Sequence, residues 1–379
     1  MPSRTRPADV FERAILVAGV LAATLSASLA PARARSSVDQ AWPAFALVTG
    51  LLVIGYLASQ DGLFERAGYA IARLPGNDIT LFVVAMGLVA AVTVVFNLDT
   101  SVLFLTPTLI HVARARRVAE EPYVYGAVMM SNSASLLLPG SNLTNLIVFH
   151  DKASGWTFAA RMLPAWLGAV VVTTCVLAIR LRKDGVSNSS SSRADLQIGE
   201  GTLAAVLATV LIGLTRSPAL PVLVVAMVAL LVRRSRRGLE SAAARRLDPS
   251  IIAGLFGIVV AVGTLARTWA GPAEAMRSAS PWAAAAIGSA ASVVINNLPA
   301  AMLLSAKGVT HARALLVGLN IGPNLAVSGS LSAVLWAKAA RSEGAEASAR
   351  RYSKLGVVVA PLAGAAAMAG LLLFSGRPA

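Results

Sequence analysis

The chain has 379 residues, of which 56% are hydrophobic and 13% are charged, with a formal net charge of +15 and a mean hydropathy of +0.70. A soluble domain carries about 25% charged residues, so this composition excludes a soluble globular protein and indicates an all-α polytopic membrane protein. Lys and Arg stand mostly between apolar runs, as expected for cytoplasmic loops, and no soluble basic face for a nucleic acid is present. The single cysteine, Cys175, excludes an internal disulfide.

The first apolar runs predict two transmembrane helices and a surface helix. Three arginines precede an apolar run over residues 14–30, which we interpret as an uncleaved first helix with the N-terminus inside. The alternative is a signal peptide, because residues 32–34 resemble a cleavage site. A second span follows at about 42–59, and the apolar face of residues 62–74 is typical of a helix lying on the inner membrane surface.

A second feature is an apolar run over residues 78–113 that is interrupted at Asn97–Thr100. Arg73 precedes the run and Arg114 lies at its end. Basic residues mark the cytoplasmic side, so both ends are expected there. The pattern predicts a re-entrant helical hairpin with its tip near residues 97–100.

The next run, over residues 122–150, is broken at Pro139–Asn142. Proline and glycine interrupt a helix, so we predict a discontinuous transmembrane helix, followed by a span at about 156–179. The serine-rich stretch 184–199 is predicted to be a flexible cytoplasmic linker. The predicted organisation is therefore a first membrane repeat over 1–183, the linker 184–199, and a second repeat over 200–379.

The second half repeats the pattern after three ordinary spans at about 201–215, 218–232 and 250–268, one of them an extra connecting helix. A hairpin over 281–306 is interrupted at Asn296–Pro299. A discontinuous helix over 311–340 is split between Asn320 and Ser330. With a last span at 355–374, the total is about nine crossings plus two hairpins.

The spacing of the interruptions indicates a duplication. Asn97 aligns with Asn297 at an offset of 200, and Asn142 aligns with Ser330 at an offset of 188. The charge rule puts the first hairpin inside and the second outside, so the repeats are predicted to be inverted. The alternative, small polar residues that only pack helices in lipid, does not explain two asparagine-bearing interruptions at matched places.

These interrupted tracts supply the candidate binding site. Broken helices expose unpaired N–H groups at one half-helix start, which favour anions, and C=O groups at another half-helix end. Asn, Ser and Thr add uncharged donors and acceptors, so we expect a neutral cage for a small oxyanion or a polyhydroxyl solute, with no catalytic residue and no metal ligand. Its predicted members are Asn97, Thr100, Ser141, Asn142, Thr144, Asn145, Asn297, Asn320, Asn324, Ser328 and Ser330.

Asp99 is the one carboxylate in the interrupted tracts, since Pro299 occupies the aligned position in the second repeat. An intramembrane acid is a functional hypothesis by default. We predict that Asp99 couples transport to the driving ion, H+ or Na+, with no other cofactor. The alternative is that Asp99 is the N-cap of the second hairpin arm.

The same tracts resemble the arsenite permease family of the ion transporter superfamily. The matching pieces are Asn97-x-Asp99-Thr100, SNSASLLLPGSNLTN at 131–145, NNLPA at 296–300 and NIGPN at 320–324. The resemblance implies efflux of arsenite or antimonite across the plasma membrane, driven by the proton gradient alone or with a soluble ATPase partner, by a homodimer. A sodium- or proton-coupled citrate-type carrier of the same superfamily is the alternative, although such carriers usually have Ser-Asn-Thr at both tips.

Two other classes fit less well. An intramembrane enzyme would need a nucleophile–base pair or metal ligands, and the sequence contains no HExxH or GxSxG motif. A channel could use the same re-entrant hairpins. Saturable flux coupled to a second ion would separate a carrier from a channel.

Overall fold

The computed structural model describes residues 7–149, 154–182, 199–215, 217–237 and 249–374. Within these ranges the chain is helical and contains no β-strand, which confirms the all-α prediction. The predicted linker over 184–199 lies, except for Gly199, outside the described residues, so the predicted division into two repeats stays a prediction.

The described residues form seventeen α-helices and four short 3-10 turns. The helices are α1 (Pro7–Leu29), α2 (Pro31–Gln60), α3 (Leu63–Ala72), α4 (Asp78–Val95), α5 (Leu98–Arg116), α6 (Glu121–Ala134), α7 (Leu143–Val148), α8 (Gly155–Ala178), α9 (Glu200–Leu214), α10 (Ala219–Arg237), α11 (Pro249–Thr268), α12 (Gly271–Ser278), α13 (Pro281–Ile295), α14 (Asn297–Ser305), α15 (Ala312–Ile321), α16 (Leu331–Ser342) and α17 (Ala349–Phe374). The 3-10 turns are Pro139–Ser141, Ile179–Arg182, Gly322–Leu325 and Val327–Gly329.

Five helices, α2, α4, α8, α11 and α17, are long and apolar enough to cross a membrane. A helix of about 20 residues spans the hydrocarbon core, and the outward side chains of these helices include exposed apolar residues such as Val171 and Leu362. Parts of α1, α9 and α13 are shorter apolar helices. Length and composition therefore support a multi-pass protein, while the number of nine crossings stays a prediction.

Helix α2 lies between two hydrophobic cores. Its residues Leu47, Leu51 and Ile54 belong to a core built with α3 to α6 and parts of α9, α10, α16 and α17. Its residues Phe45 and Val48 belong to a second core built with α7, α8, α11 to α15 and the C-terminal part of α17. Helices in lipid associate through close van der Waals packing rather than through transfer out of water, and α2 makes such packing contacts in both cores.

Two short helices were predicted incompletely. Helix α3 was expected on the membrane surface, and it packs against α5, where Gly68 leaves room for Thr108. Helix α12 was not predicted at all, because its eight residues fall in a stretch read as a connection. Its start is favoured by Pro272 in the first turn, where the missing N–H of proline costs nothing.

Both hairpin interruptions are shorter than predicted. Helix α5 begins at Leu98 and helix α14 at Asn297, so Asn97 and Asn296 stand at the points where the chain turns. The prediction that the interruptions extend to Thr100 and Pro299 was wrong. A proline in the first turn of a helix removes no intrahelical hydrogen bond, so Pro299, the third residue of α14, does not interrupt it.

The first split helix is broken over a longer stretch than the sequence indicated, and the second is broken within the predicted bounds. Between α6 and α7 the break runs from Ser135 to Asn142, and between α15 and α16 it runs from Gly322 to Ser330. Asn145 explains the length of the first break. Its Nδ2 donates to the carbonyl oxygens of Ser135, at 2.7 Å, and Leu138, at 3.0 Å, which supplies partners for backbone groups inside the break.

Candidate functional site

Four half-helices begin at one small cavity. These are α5, α7, α14 and α16, and their first residues line a space of about 10 Å³, which holds about one water molecule. A helix start presents free N–H groups and partial positive charge. This charge is contributed by α5, α14 and α16, while α7, with six residues, adds mainly N–H donors. The lining residues are Leu98, Asp99, Asn142, Leu143, Asn297, Leu298, Ser330, Leu331 and Ser332.

Each of the four helix starts is capped by the side chain that precedes it. Capping by Asn or Ser stabilises a helix by about 1 kcal/mol relative to Ala. The capping bonds run from the backbone N–H of Thr100 to Asn97 (2.7 Å), of Thr144 to Asn142 (3.2 Å), of Leu298 to Asn296 (3.3 Å) and of Ala333 to Ser330 (3.4 Å).

The two hairpin caps share an unusual backbone conformation. Asn97 has φ 155° and Asn296 has φ 74°, both in the region that favours glycine. Such a conformation costs a residue with a side chain about 1–3 kcal/mol. The positive φ of both caps favours a match of Asn97 with Asn296 rather than with Asn297, while the repeat itself stays a prediction. In this register the counterpart of Asp99 is Leu298.

Asn320 connects the two split helices. It lies near the end of α15, is 1% exposed, and bonds residues of the first break through both ends of its amide. Each bond contributes about 1 kcal/mol net, and losing one leaves a buried polar group at a cost of about 1–3 kcal/mol. Its Oδ1 accepts from Asn142 Nδ2, Ser135 Oγ (2.7 Å) and Thr144 Oγ1 (3.4 Å), and its Nδ2 donates to Asn145 Oδ1 (2.9 Å) and the Leu316 carbonyl (2.8 Å).

A second asparagine pair ties the breaks together. Asn132 Nδ2 donates to Asn324 Oδ1 at 2.8 Å, and both side chains are buried. Helix α17 holds the backbone next to Asn324, because Tyr352 Oη donates to the Pro323 carbonyl at 3.0 Å. Gly356 lies against the Asn324 carbonyl, where a Cβ atom would collide. The second break is therefore held by α17 as well as by the first break.

Asp99 is the second residue of α5, and its side chain lines two cavities. One is the small cavity at the four helix starts, and the other has about 50 Å³ and mainly apolar walls from α2, α11 and α16. Asn97 is the cap of α5, so the alternative that Asp99 is the cap was wrong. Asp99 is 5% exposed, and its carboxyl has no hydrogen bond or ion pair with any of the described residues.

Two unpaired polar atoms lie in the same helical turn as Asp99. Nδ2 of Asn97 and Oγ1 of Thr100 are buried and have no hydrogen-bond partner among the described residues. A buried charge without a partner costs free energy. An ionised Asp99 would therefore need a water molecule or a cation beside it.

The predicted site residues divide into three buried groups and one exposed residue. Asp99, Asn142, Asn297 and Ser330 line the small cavity, whereas Thr144, Asn145, Asn320 and Asn324 bond within or between the breaks. Asn97, Thr100 and Ser141 are buried behind the cavity, and Ser141 Oγ donates to the Val94 carbonyl. Ser328 is exposed and bonds the Val293 carbonyl, so its expected place in the cage was wrong.

Sequence reasoning missed several residues of the site, namely Asn132, Ser135, Asn296 and Ser332. Asn132 and Ser135 belong to the SNSAS tract at 131–135, and Asn296 is the first residue of an Asn-Asn pair. The composition of the SNSAS tract and of the Asn-Asn pair indicates a polar site. Only the backbone conformation shows which asparagine lies at the turn.

The far ends of the four half-helices meet in two pairs. Helices α5 and α16 pack together, and His111 Nε2 of α5 lies 3.3 Å from the Glu343 carboxylate after α16. Helices α7 and α14 pack together, and Gln40 Nε2 donates to the Ile147 carbonyl at 2.9 Å and to Ser305 Oγ at 3.3 Å. The two pairs share the cavity at their starts.

A larger cavity opens beside the first break. It has a volume of about 420 Å³ and is bounded by α2, α7, α8 and the junction of α9 with α10. Asp39 and Leu220 at its wall are exposed, whereas Asn145 is fully buried. We call this cavity the vestibule. Its described lining residues are Asp39, Gln40, Trp42, Pro43, Leu47, Pro139, Asn145, Leu146, Phe149, Gly155, Phe158, Ile212, Thr215, Ser217, Pro218, Ala219 and Leu220.

Comparisons with known proteins agree with this architecture. The family model described as citrate transporter (CitMHS) matches residues 10–337. An arsenical pump membrane protein of Escherichia coli is 32% identical over 148 residues, which is 38% of this chain and 34% of that protein, and one of Shigella flexneri is 31% identical over the same length. The match thus spans about a third of these relatives. A crystal structure of the Alcanivorax borkumensis YdaH transporter has a similar fold, with a TM-score of 0.55 and 14% identity over 97% of this chain and 99% of that one.

Proposed function

Because the chain belongs to the citrate transporter family, and is therefore a multi-pass membrane transporter, we propose that it exports arsenite, antimonite or a similar small oxyanion in exchange for protons. The observation that carries the proposal is the meeting of four capped helix starts and two broken helices at one cavity, where Asp99 is the one ionisable side chain among the described lining residues. Irregular backbone at membrane depth is tolerated where it lines a cavity or is buried in protein, and transporters place their binding sites at such breaks.

The pairing of the half-helices supports the inverted repeats that we propose. The caps Asn142 and Ser330 stand at the offset of 188 found in the sequence, and Asn97 and Asn296 share positive φ. The hairpin arm of each half packs against the split helix of the other, as α5 with α16 and α14 with α7. Two copies of one unit related by a two-fold axis would produce this exchange of partners.

The cavity favours a small, weakly charged solute. Among the described residues that line it, none is Lys or Arg, so a citrate trianion would meet helix ends and amides but no cationic side chain. Arsenite at neutral pH is the uncharged trihydroxide, which amides and free N–H groups can bind. The alternative is a sodium- or proton-coupled carboxylate carrier, and the match to a citrate transporter family favours it. A channel remains a remote alternative.

Asp99 is the residue that we propose for ion coupling. It lines the solute cavity and lacks a partner among the described residues, so proton uptake and release at this carboxyl would change the charge beside the solute. In the sodium-coupled alternative, the carboxylate and the unpaired Thr100 Oγ1 would supply oxygen ligands. A homodimer, a soluble ATPase partner and a cytoplasmic N-terminus stay proposals that rest on the family resemblance and the charge rule.

Flux into proteoliposomes tests the proposed function. Purified protein is reconstituted, and uptake of arsenite, antimonite and citrate is measured with an imposed pH gradient, with a sodium gradient and with neither. We expect saturable arsenite flux that follows the pH gradient and does not respond to sodium. Citrate flux without arsenite flux would replace the proposal with its alternative, and flux that does not saturate would indicate a channel.

A further inference from the structure

The cavity at the four helix starts is too small to hold a solute in this conformation. About 10 Å³ holds one water molecule, whereas ligand sites typically have about 300–1,000 Å³. The vestibule, with 420 Å³, is in that range. A solute that approaches this conformation would therefore find room in the vestibule and not at the helix starts.

The vestibule reaches the network that joins the two breaks. Asn145 lines its inner wall, and the same side chain accepts the 2.9 Å hydrogen bond from Asn320 Nδ2. Gln40 lines it as well and holds the ends of α7 and α14 through Ile147 and Ser305. From Asn145 two hydrogen bonds, through Asn320, lead to Asn142, which lines the small cavity at the helix starts.

The walls of the vestibule indicate what it can bind. Trp42, Phe149 and Phe158 supply aromatic surface, and Asp39 supplies an exposed carboxylate. Asp39 is the one charged side chain among the described lining residues. The Gln40 amide is occupied, because its Oε1 accepts from Arg267 at 2.6 Å. A carboxylate accepts hydrogen bonds from hydroxyl groups and repels anions.

We propose that the vestibule is a second, peripheral solute site, specific for an uncharged solute that donates hydrogen bonds, such as arsenious acid, and that the bonded residues Asn145, Asn320 and Asn142 lie between it and the small cavity at the helix starts. The identity of the solute rests on the proposed function. The elements around the vestibule end where the charge rule places the outer face, at the α9–α10 turn and before α8. The peripheral site is therefore the outer end of the transport path.

Tryptophan fluorescence tests binding at the peripheral site independently of transport. Arsenite is titrated into the full-length protein in lipid nanodiscs, as wild type, Trp42→Phe, Asn297→Leu and the control Trp282→Phe, whose tryptophan is exposed at the start of α13. We expect a saturable change that is lost only in Trp42→Phe and persists in Asn297→Leu. Loss of the change in Asn297→Leu, or its persistence in Trp42→Phe, would overturn the peripheral site.

The carboxylate of Asp39 gives a test that distinguishes uncharged solutes from anions. Asp39→Asn should weaken arsenite binding by about tenfold, because hydrogen bonds to a charged acceptor are the stronger ones. Citrate, titrated in parallel, should not bind the wild type. Tighter binding of arsenite to Asp39→Asn, or citrate binding to the wild type, would overturn the assignment to uncharged solutes.

Thiol labelling tests whether the vestibule lies on the transport path. On a Cys175→Ala background, Leu146→Cys places a thiol at the inner wall, and Leu207→Cys places one on the exposed face of α9 as a control. A membrane-impermeant charged thiol reagent should modify Leu146→Cys from one face and stop the flux. Unmodified Leu146→Cys, or modified protein with normal flux, would contradict the path. Arsenite binding in the fluorescence titration without arsenite flux in proteoliposomes would reject the proposed function but not the peripheral site.

Discussion

Asn320 donates from its Nδ2 a hydrogen bond of 2.9 Å to Oδ1 of Asn145, which lies 175 residues earlier in the chain. Both side chains are at most 1% exposed, so no bulk water can replace the bond if it is lost. The bond joins the two broken helices beside the cavity where four half-helices begin. Any movement that separates the two breaks during transport must therefore break this bond.

Asn142 caps α7 and also bonds Asn320, so two substitutions separate these roles. Asn142→Ser keeps a good capping side chain but cannot reach Asn320, and Asn142→Leu removes both interactions. We expect both variants to lose transport. We also expect Asn142→Leu to be less stable than Asn142→Ser by about 1 kcal/mol, because only Asn142→Leu loses the cap. Flux in proteoliposomes and thermal unfolding in detergent measure the two effects. Normal flux in Asn142→Ser would show that the bond to Asn320 is not required.

Asp99→Asn should uncouple transport from the proton gradient. The amide has nearly the shape of the acid but cannot exchange a proton with solvent, so solute exchange should continue while the response to an imposed pH gradient disappears. The matched control is Asp78→Asn, which changes an exposed acid in the first turn of α4. A pH response that is unchanged in Asp99→Asn, relative to both the wild type and this control, would reject Asp99 as the coupling residue.

Asn296 should tolerate glycine better than alanine. At φ 74° alanine is strained by about 1–2 kcal/mol, and it also loses the cap, whereas glycine loses only a few tenths of a kcal/mol at a cap. Asn77 is the matched control, because it caps α4 at φ −84°, where alanine has no such strain. The stability gap between the glycine and alanine variants, measured by thermal unfolding, should be larger at Asn296. Equal gaps at the two positions would argue against the strained turn.

Tyr352→Phe should reduce transport with little effect on folding. It removes the hydroxyl that donates to the Pro323 carbonyl, which contributes about 1 kcal/mol, and so loosens the second break. Tyr125→Phe is the control, because Tyr125 also packs against Trp336 but bonds Ser348, away from the break. Both variants should unfold at similar temperatures, and only Tyr352→Phe should lose flux. Equal flux in the two variants would mean that α17 does not position the break.

The sequence predicts the helices and the interrupted tracts well, because apolar length and Pro, Gly and Asn leave strong local signals. It does not predict which residue turns the chain. In the pair Asn296-Asn297 both residues suit a cap, and only the positive φ of Asn296 decides between them. The sequence also does not predict the contact between Asn132 and Asn324, since the two residues are 192 positions apart and their contact depends on packing that no local pattern encodes. Ser328 fits the composition of the site, but it is exposed and bonds the Val293 carbonyl outside the small cavity.

The central claim is that the solute binds between the starts of α5, α7, α14 and α16. The most direct measurement is the anomalous scattering of antimony in crystals of the protein grown with antimonite at a concentration that saturates transport. We predict an anomalous peak within hydrogen-bond distance of the capped starts, next to Asn142, Asn297 and Ser330. The cavity there must be wider in those crystals than the 10 Å³ it has in the present conformation, and an additional peak in the vestibule agrees with the account. The absence of a peak at the helix starts at that concentration would contradict it.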